Sequence, residues 1–248
     1  MRDKLYGEMF EMEQRHWWFQ AKLTIVASLL KRYLYRSPGQ RPRIADLGCG
    51  CGMMLYQLRN DYDVVGMDGS PQAIAFCAQR GVKAQLGQLP DQLPFPRHSF
   101  DAVMLLDVLE HLERDTETAV AAAALLKPGG ILLCTVPAYQ WLYSKRDEHH
   151  QHFRRYGRRQ FARLFNQPSL RLELLSFYNT WLFPLAAASR LATRIIPSDQ
   201  TKDLRVPPAP INRTMAAIFA SERAFLGRVP LPFGLSLIAV ARNATGLV

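Results

Sequence analysis

The stretch Ile44-Ala45-Asp46-Leu47-Gly48-Cys49-Gly50-Cys51-Gly52 decides how the chain folds. A short apolar run, Arg43 to Leu47, enters a loop with glycine at every second position, and a helical pattern, Met53 to Arg59, follows at once. Glycines let the backbone turn tightly and let a ligand approach the main chain. The helix start adds unpaired N–H groups. A glycine loop after a strand also fits a dinucleotide site, but G-x-G-x-x-G needs a glycine where this chain has Met53. Asp46, two residues before the first glycine, would repel a pyrophosphate and suits a ligand with a positive amino group.

Reading outward, the second apolar run, Val64 to Met67, ends at Asp68, 22 residues beyond Asp46. That is the spacing at which a carboxylate takes ribose hydroxyls. S-adenosylmethionine has an amino group, a sulfonium cation and a ribose, and lacks phosphate, so it fits both acids. The alternative is that Asp46 and Asp68 only cap helices. Ser70-Pro71 opens the next helix as N-cap and first-turn proline, and Gly81 ends it. Val82 to Leu86 and Phe100 to Leu106 read as strands, Asp115 to Leu126 as an alanine-rich helix, Lys127 to Gly130 as a turn, and Ile131 to Val136 as a fifth strand. Strands separated by helices predict a parallel sheet covered on both faces. Later, Leu170 to Phe177 and Leu235 to Ala241 read as an antiparallel pair around a long excursion.

Composition bounds the reading. The chain has 248 residues, 48% of them hydrophobic and 21% charged, which suits one domain with a sizeable core and excludes wholesale disorder. The net charge of +10 suits an anionic partner: a phosphate-bearing substrate, a membrane surface or nucleic acid. Cys49 and Cys51 form C-x-C with no second pair to complete a zinc site, so the cysteines read as buried thiols and no metal is expected. The first nineteen residues lack the apolar core of a signal peptide. The uncharged run Leu174 to Ser189 is interrupted by Pro184 and is shorter than the roughly 18–20 residues of a membrane span. A cytoplasmic location is expected, with peripheral contact at the inner membrane face allowed by that run.

Asp46 to Gly52 resembles motif I of the class I S-adenosylmethionine-dependent methyltransferases. The resemblance continues through Val64 to Gly69, Leu93-Pro94-Phe95, Ser99 to Asp101, Leu106 to Leu112 and Leu126 to Gly130. It implies a Rossmann-like doubly wound α/β fold with a seven-stranded sheet of order 3-2-1-4-5-7-6, strand seven antiparallel. Residues 1–40 would be a helical cap, 41–177 and 231–248 the core, and 178–230 an insertion serving as substrate lid or membrane-facing element. Carried over by position, Gly48, Cys49, Gly50 and Gly52 would pass beneath the cofactor. Asp46 would reach its amino group, Asp68 its ribose, and Gly69, Gln88 and Leu89 its adenine, with Asp107 and Val108 as a wall.

Two flanking stretches, Glu11 to Phe19 and Pro137 to Tyr156, resemble a subgroup with HWWF and HxRRY motifs that often serves glycan, lipid or natural-product synthesis. The motif match and its place after strand five make His152 the first candidate proton acceptor, and His111, just beyond strand four, the second. Trp17 and Trp18 would form an aromatic wall for the cationic methyl or else pin the first helix onto the core, and Tyr139, Arg155 and Tyr156 would lie on the acceptor side. Arg154 to Arg163 read as one basic helix, and Tyr178 to Phe183 lie near Arg190 and Arg194. The acceptor is expected to be a small molecule, free or linked to lipid or glycan, and a homodimer is compatible with the insertion. Nucleic acid is disfavoured, because Asp107-Val108-Leu109-Glu110 lacks the Pro-Pro-aromatic pattern of amino-methylating DNA enzymes. An RNA or protein methyltransferase, a nicotinamide oxidoreductase and a cofactor-binding module without turnover are the competing readings.

Overall fold

The computed structural model describes residues 3–35, 39–188 and 206–245. Helices α1 (Asp3–Met12) and α2 (Trp17–Tyr33) replace the single helical segment expected at the start. They separate at His16, whose Nδ1 accepts the Trp18 N–H at 3.2 Å as the N-cap of α2. Then follow β1 (Arg43–Leu47), α3 (Met53–Leu58), β2 (Asp63–Asp68), α4 (Pro71–Gln79), β3 (Ala84–Leu86), β4 (Phe100–Leu106), α5 (Asp115–Ala123) and β5 (Leu126–Pro137). The second half contains α6 (Lys145–His149), α7 (Arg158–Arg163), β6 (Leu170–Tyr178), α8 (Ala209–Ser221) and β7 (Ser236–Asn243).

The strands form one sheet in the order β3-β2-β1-β4-β5-β7-β6, with β7 antiparallel to both its neighbours and the other pairs parallel. Side-chain alternation assigns the two faces. On β4, Ala102 and Met104 join the layer under α2, α3 and α8, whereas Val103 and Leu105 join the layer under α5 and α7. Because both faces are covered, the central strands are apolar throughout, as in parallel sheets generally. The chain crosses from one face to the other between β1 and β4, and ligands bind at such switch points beyond the carboxyl ends of the strands.

Two local expectations change. Lys127 to Gly130 were expected as a turn ahead of the fifth strand, but β5 already pairs at Leu126 with Phe100 and resumes at Ile131 with Ala102, so these four residues bulge within the strand. The basic helix expected from Arg154 begins only at Arg158. Arg154 and Arg155 precede it outside any helix, before the N-cap Gly157, and each pairs with a carboxylate, Asp115 at 3.0 Å and Asp147 at 2.8 Å.

Within the β6–β7 connection, α8 packs along α2. The Asn212 side chain accepts the Trp17 N–H at 2.9 Å and donates to the Arg15 carbonyl at 2.7 Å. Phe219 is fully buried between Trp17 and Tyr178, with ring centroids 6.1 and 5.7 Å away. Arg190 and Arg194 lie outside the described residues. Among the described residues no helix is long and apolar enough to cross a membrane.

Glu222, just after α8, is buried and accepts the main-chain N–H groups of Asn179, Thr180 and Trp181 at 2.7, 2.6 and 3.0 Å. Burial raises its carboxyl, and the three N–H donors oppose that rise. Glu222→Ala leaves three donors unpaired and is expected to cost about 2–4 kcal/mol of unfolding free energy. Urea denaturation checks this, and a loss below about 1 kcal/mol would show that water replaces the carboxylate.

Candidate active site

At the carboxyl end of β1, the N–H groups of Gly48 and Cys49 both donate to the Met67 carbonyl of β2, at 2.7 and 3.0 Å. The loop then runs through left-handed residues, Gly48 at φ +78° and Gly52 at φ +79°. A Cβ on Gly48 would stand 2.6 Å from a Val108 methyl, and one on Gly52 would stand 2.8 Å from Cys77 Sγ. Both backbone conformation and space therefore require glycine.

The two acids flank this loop. Asp46 has the parity of Ile44 and faces the α2 layer, at 3% exposure. Burial pushes its carboxyl up to about 7, against the pull of Lys22, while Asp68 adds to the rise. The Asp68 carboxylate accepts the Tyr6 hydroxyl at 3.0 Å and the Ser70 N–H at 3.0 Å on Oδ1, and the Gly50 N–H at 2.9 Å on Oδ2.

Helix α1 lies over the loop. Beyond the Tyr6 bond, Met9 covers Gly50, Phe10 stacks on Phe76 at 4.6 Å, and the buried Glu13 pairs with Arg80 at 3.1 Å. Burial lifts Glu13 to about 8, with Arg80 and Lys22 opposing.

At the end of β4, Asp107 adopts φ +58° and is held by Lys22 at 2.7 Å and by the Thr135 hydroxyl at 2.9 Å. Val108 follows as a wall against Gly48. A short 3₁₀ turn, Leu109–His111, then brings His111 to the segment after α6, where its ring meets His152 edge-on at 4.6 Å. Burial lowers His111 to about 4, helped by His152. The His152 Nδ1 stands 2.9 Å from Asp147 Oδ1. Burial alone would raise Asp147, but the bonds from His152 and Arg155 hold its carboxyl well below the usual carboxylate range.

The sequence-derived candidates divide accordingly. Gly48, Cys49, Gly50, Gly52, Asp46, Asp68, Gly69, Asp107 and Val108 gather at the carboxyl ends of β1, β2 and β4, around the switch point, and the rings of His111 and His152 stand together after β4 and α6. Gln88 is exposed and closes a tight hairpin with Gln92 through main-chain bonds of 3.0 and 2.7 Å, while Leu89 packs on the core.

The expected acceptor residues are placed differently from one another. Tyr139 stacks on Phe177 at 5.2 Å among Trp141 and Phe183. Trp18 lies under the Lys22 ammonium at 5.1 Å, while Trp17 is spent on joining α2 to α8. Arg155 and Tyr156 correct the expectation. Arg155 is buried on Asp147 and the Ala138 carbonyl, and Tyr156, fully buried, donates to Asp115 at 2.7 Å and lies 3.1 Å from the Leu109 carbonyl. Both support the loop that carries His152. Sequence reasoning missed Tyr6 and Lys22, whereas Glu110 and Asp147 stood inside the quoted motifs without a role of their own. Lys22 had a signal: it sits four residues before Val26 and seven before Leu29, a charge on an otherwise apolar stripe.

Comparison with known proteins bears on this region. Residues 45–134 match a methyltransferase domain. The chain is 31% identical over 104 residues to a ubiquinone biosynthesis O-methyltransferase of Cereibacter sphaeroides, covering 40% of this chain and 42% of that protein. It is 37% identical over 107 residues to the O-methyltransferase cnsE of Penicillium expansum, covering 39% and 38%. It thus spans well under half the length of the curated relatives it matches. Two solved structures share its fold over most of their length. The methyltransferase complexed with the Trm112 activator of Haloferax volcanii has a TM-score of 0.62 at 23% identity, covering 97% of this chain and 96% of that one. The geranyl diphosphate C-methyltransferase of Streptomyces coelicolor, solved with S-adenosyl-L-homocysteine, has a TM-score of 0.59 at 16% identity, covering 88% and 75%. The strand order seen here is the class I methyltransferase order expected from the sequence.

Gly48→Ala should destabilise the methyltransferase domain by about 1–3 kcal/mol, through the left-handed backbone and the Val108 clash. In Gly48→Ala/Val108→Ala the clash is relieved and the backbone part stays, so the double variant recovers part of the loss relative to Val108→Ala alone. Thermal melts of the four proteins measure the coupling, and strict additivity would show that the two sites do not touch.

Proposed function

We propose that the chain is an S-adenosylmethionine-dependent methyltransferase acting on a small-molecule acceptor, with oxygen as the acceptor atom. The observation that carries this is the buried pair Asp46 and Asp68 on either side of a left-handed glycine loop. A phosphate-bearing cofactor would meet two carboxylates there. An ammonium-bearing nucleoside would instead relieve Asp46 and Glu13, whose carboxyls burial has lifted. The names of the relatives, both O-methyltransferases, favour oxygen as the acceptor.

Asp46 would bind the amino group, Asp68 a ribose hydroxyl, and Gly69 would leave room for the adenine, since nothing lies within 3.4 Å of a Cβ built there. When bound, the cofactor supplies an electrophilic methyl on sulfur. The residues around it orient and exclude water, which is where much of the acceleration of an in-line displacement comes from. Trp18, Tyr139 and His111 form the acceptor side. His152, oriented by Asp147, takes the proton that an oxygen acceptor must lose. An acceptor linked to lipid or glycan fits the aromatic group around Tyr139, Phe177 and Phe183.

Calorimetry with S-adenosyl-L-homocysteine and NADH tests the assignment. The first should bind and the second should not, and Asp68→Ala should weaken the first at least about tenfold. NADH binding, or an unchanged affinity in Asp68→Ala, would overturn it. Labelled S-adenosylmethionine incubated with fractionated lysate should place label in small molecules or lipids, and label confined to RNA or protein would redirect the acceptor.

The pH dependence has a definite sign. Ammonium pairs with ionised Asp46, yet the free protein holds that carboxyl protonated up to about pH 7. Binding below that pH must release the proton, so the contribution of Asp46 to affinity rises with pH from 5 to 7 by at most about tenfold per unit and then levels. Asp46→Asn should remove this part of the slope, leaving that of Glu13. An identical slope in Asp46→Asn would contradict the pairing.

A further inference from the structure

Beside the crevice, Glu110, His111 and His152 offer donor atoms that all lie within 4.8 Å of one another. Three features distinguish them from a chance grouping. First, Glu110 is 1% exposed and its Oε2 has no hydrogen-bond partner. A buried carboxylate oxygen without a donor is costly unless a cation supplies what water has lost.

Second, the imidazoles are oriented. His152 holds Asp147 through Nδ1 at 2.9 Å, which leaves Nε2 as its other nitrogen, and the His111 ring is set edge-on to the His152 ring with centroids 4.6 Å apart. Metal-ligating histidines are oriented as His152 is, one nitrogen on a carboxylate or carbonyl and the other on the ion. Third, the supports are themselves fixed. Asp147 accepts Arg155 Nε–H at 2.8 Å and the Ser144 N–H at 3.0 Å. The Phe153 N–H donates to the Glu110 carbonyl at 2.8 Å, which locks the segment bearing His152 onto the turn bearing Glu110 and His111.

We propose that Glu110, His111 and His152 bind a divalent first-row transition-metal ion. Two imidazoles and a carboxylate suit zinc, manganese, iron(II) or cobalt better than magnesium or calcium, which prefer all-oxygen sets. Three protein donors leave coordination positions open, as catalytic sites do. An acceptor oxygen on the ion loses its proton more readily. Nε2 of His152 cannot serve the ion and a proton at once, so the loaded site is a Lewis acid and the cation-free site a base. This departs from the metal-free site expected from the sequence. It rests on the three side chains and their supports, whichever cofactor the crevice takes.

The test is calorimetric titration of chelator-treated full-length chain with zinc chloride and, separately, magnesium chloride. A single zinc ion should bind per chain, with magnesium far weaker. His111→Ala and His152→Ala should each weaken zinc by about tenfold to hundredfold, and Asp147→Asn by a similar or smaller factor. No zinc binding by the wild type, or zinc affinity indifferent to both histidine variants, would overturn the proposal and leave Glu110 as a neutral acid packed beside two histidines. Circular dichroism melts confirm that the variants fold. The wild type provides a second reading that no folding defect can confuse: a zinc-edge anomalous peak between Glu110, His111 and His152 in zinc-soaked crystals supports the site, and its absence overturns it. Binding of S-adenosyl-L-homocysteine, measured apart, reports on the crevice alone.

Discussion

Carboxylates buried in excess of cations are the constraint on which the rest of the site depends. Glu13, Asp46 and Glu110 are buried, and Asp107 stands at the rim on Lys22. Lys22 pairs with Asp107 at 2.7 Å, and its field also opposes the burial of Glu13, Asp46 and Glu110. One ammonium cannot keep four acids ionised in a medium that solvates them poorly. Arg80 relieves Glu13 in part. The remaining deficit falls at Asp46 on one side of the β1–β4 switch point and at Glu110 on the other. A ligand that carries positive charge to either place finds a carboxyl already positioned there, which burial keeps neutral and which ionises as the charge arrives.

The part of this that was legible in the sequence is the part set by backbone geometry. Gly48 and Gly52 announce themselves because no other residue fits φ near +79° with a methyl or a sulfur 2.6–2.8 Å from its Cβ. Asp46 and Asp68 follow because strand length and helix length fix where each strand ends. The sheet order follows from the same local units. Illegible were contacts made across long separations by side chains with no local reason to be where they are. Tyr6 reaches Asp68 over 62 residues and Lys22 reaches Asp107 over 85. Arg155 looks like a surface arginine beside Arg154 and Arg158, and only the fold turns it inward onto Asp147. The start of the basic helix was misplaced for the same reason: Arg154 and Arg155 are drawn into long-range ion pairs ahead of the N-cap Gly157.

Tyr6 changes how Asp68 works. An ionised carboxylate has about four acceptor sites. Tyr6, Ser70 and Gly50 take three of them. One site remains for a ribose hydroxyl while α1 is in place, and two when the tyrosine withdraws. The helix that covers the crevice therefore shares its main polar contact with the ligand that the crevice would hold. Its other ties, Phe10 on Phe76 and Glu13 on Arg80, lie on the α4 side and do not depend on Asp68.

Backbone strain is gathered on the same rim. Asp107, Tyr139 and Asn179 all take positive φ, near 60°, just past the carboxyl ends of β4, β5 and β6. Non-glycine residues hold such angles only when their surroundings over-determine them. Asp107 is gripped by Lys22 and Thr135, and Tyr139 by its N–H on the Tyr156 carbonyl and its ring on Phe177. Asn179 is gripped by its N–H on Glu222. Each grip comes from a different part of the chain: the N-terminal helices, the loop that carries His152, and the connection between the last two strands. The segments outside residues 45–134 therefore fix the strand ends of the matched region, each through a contact that the region does not contain in itself.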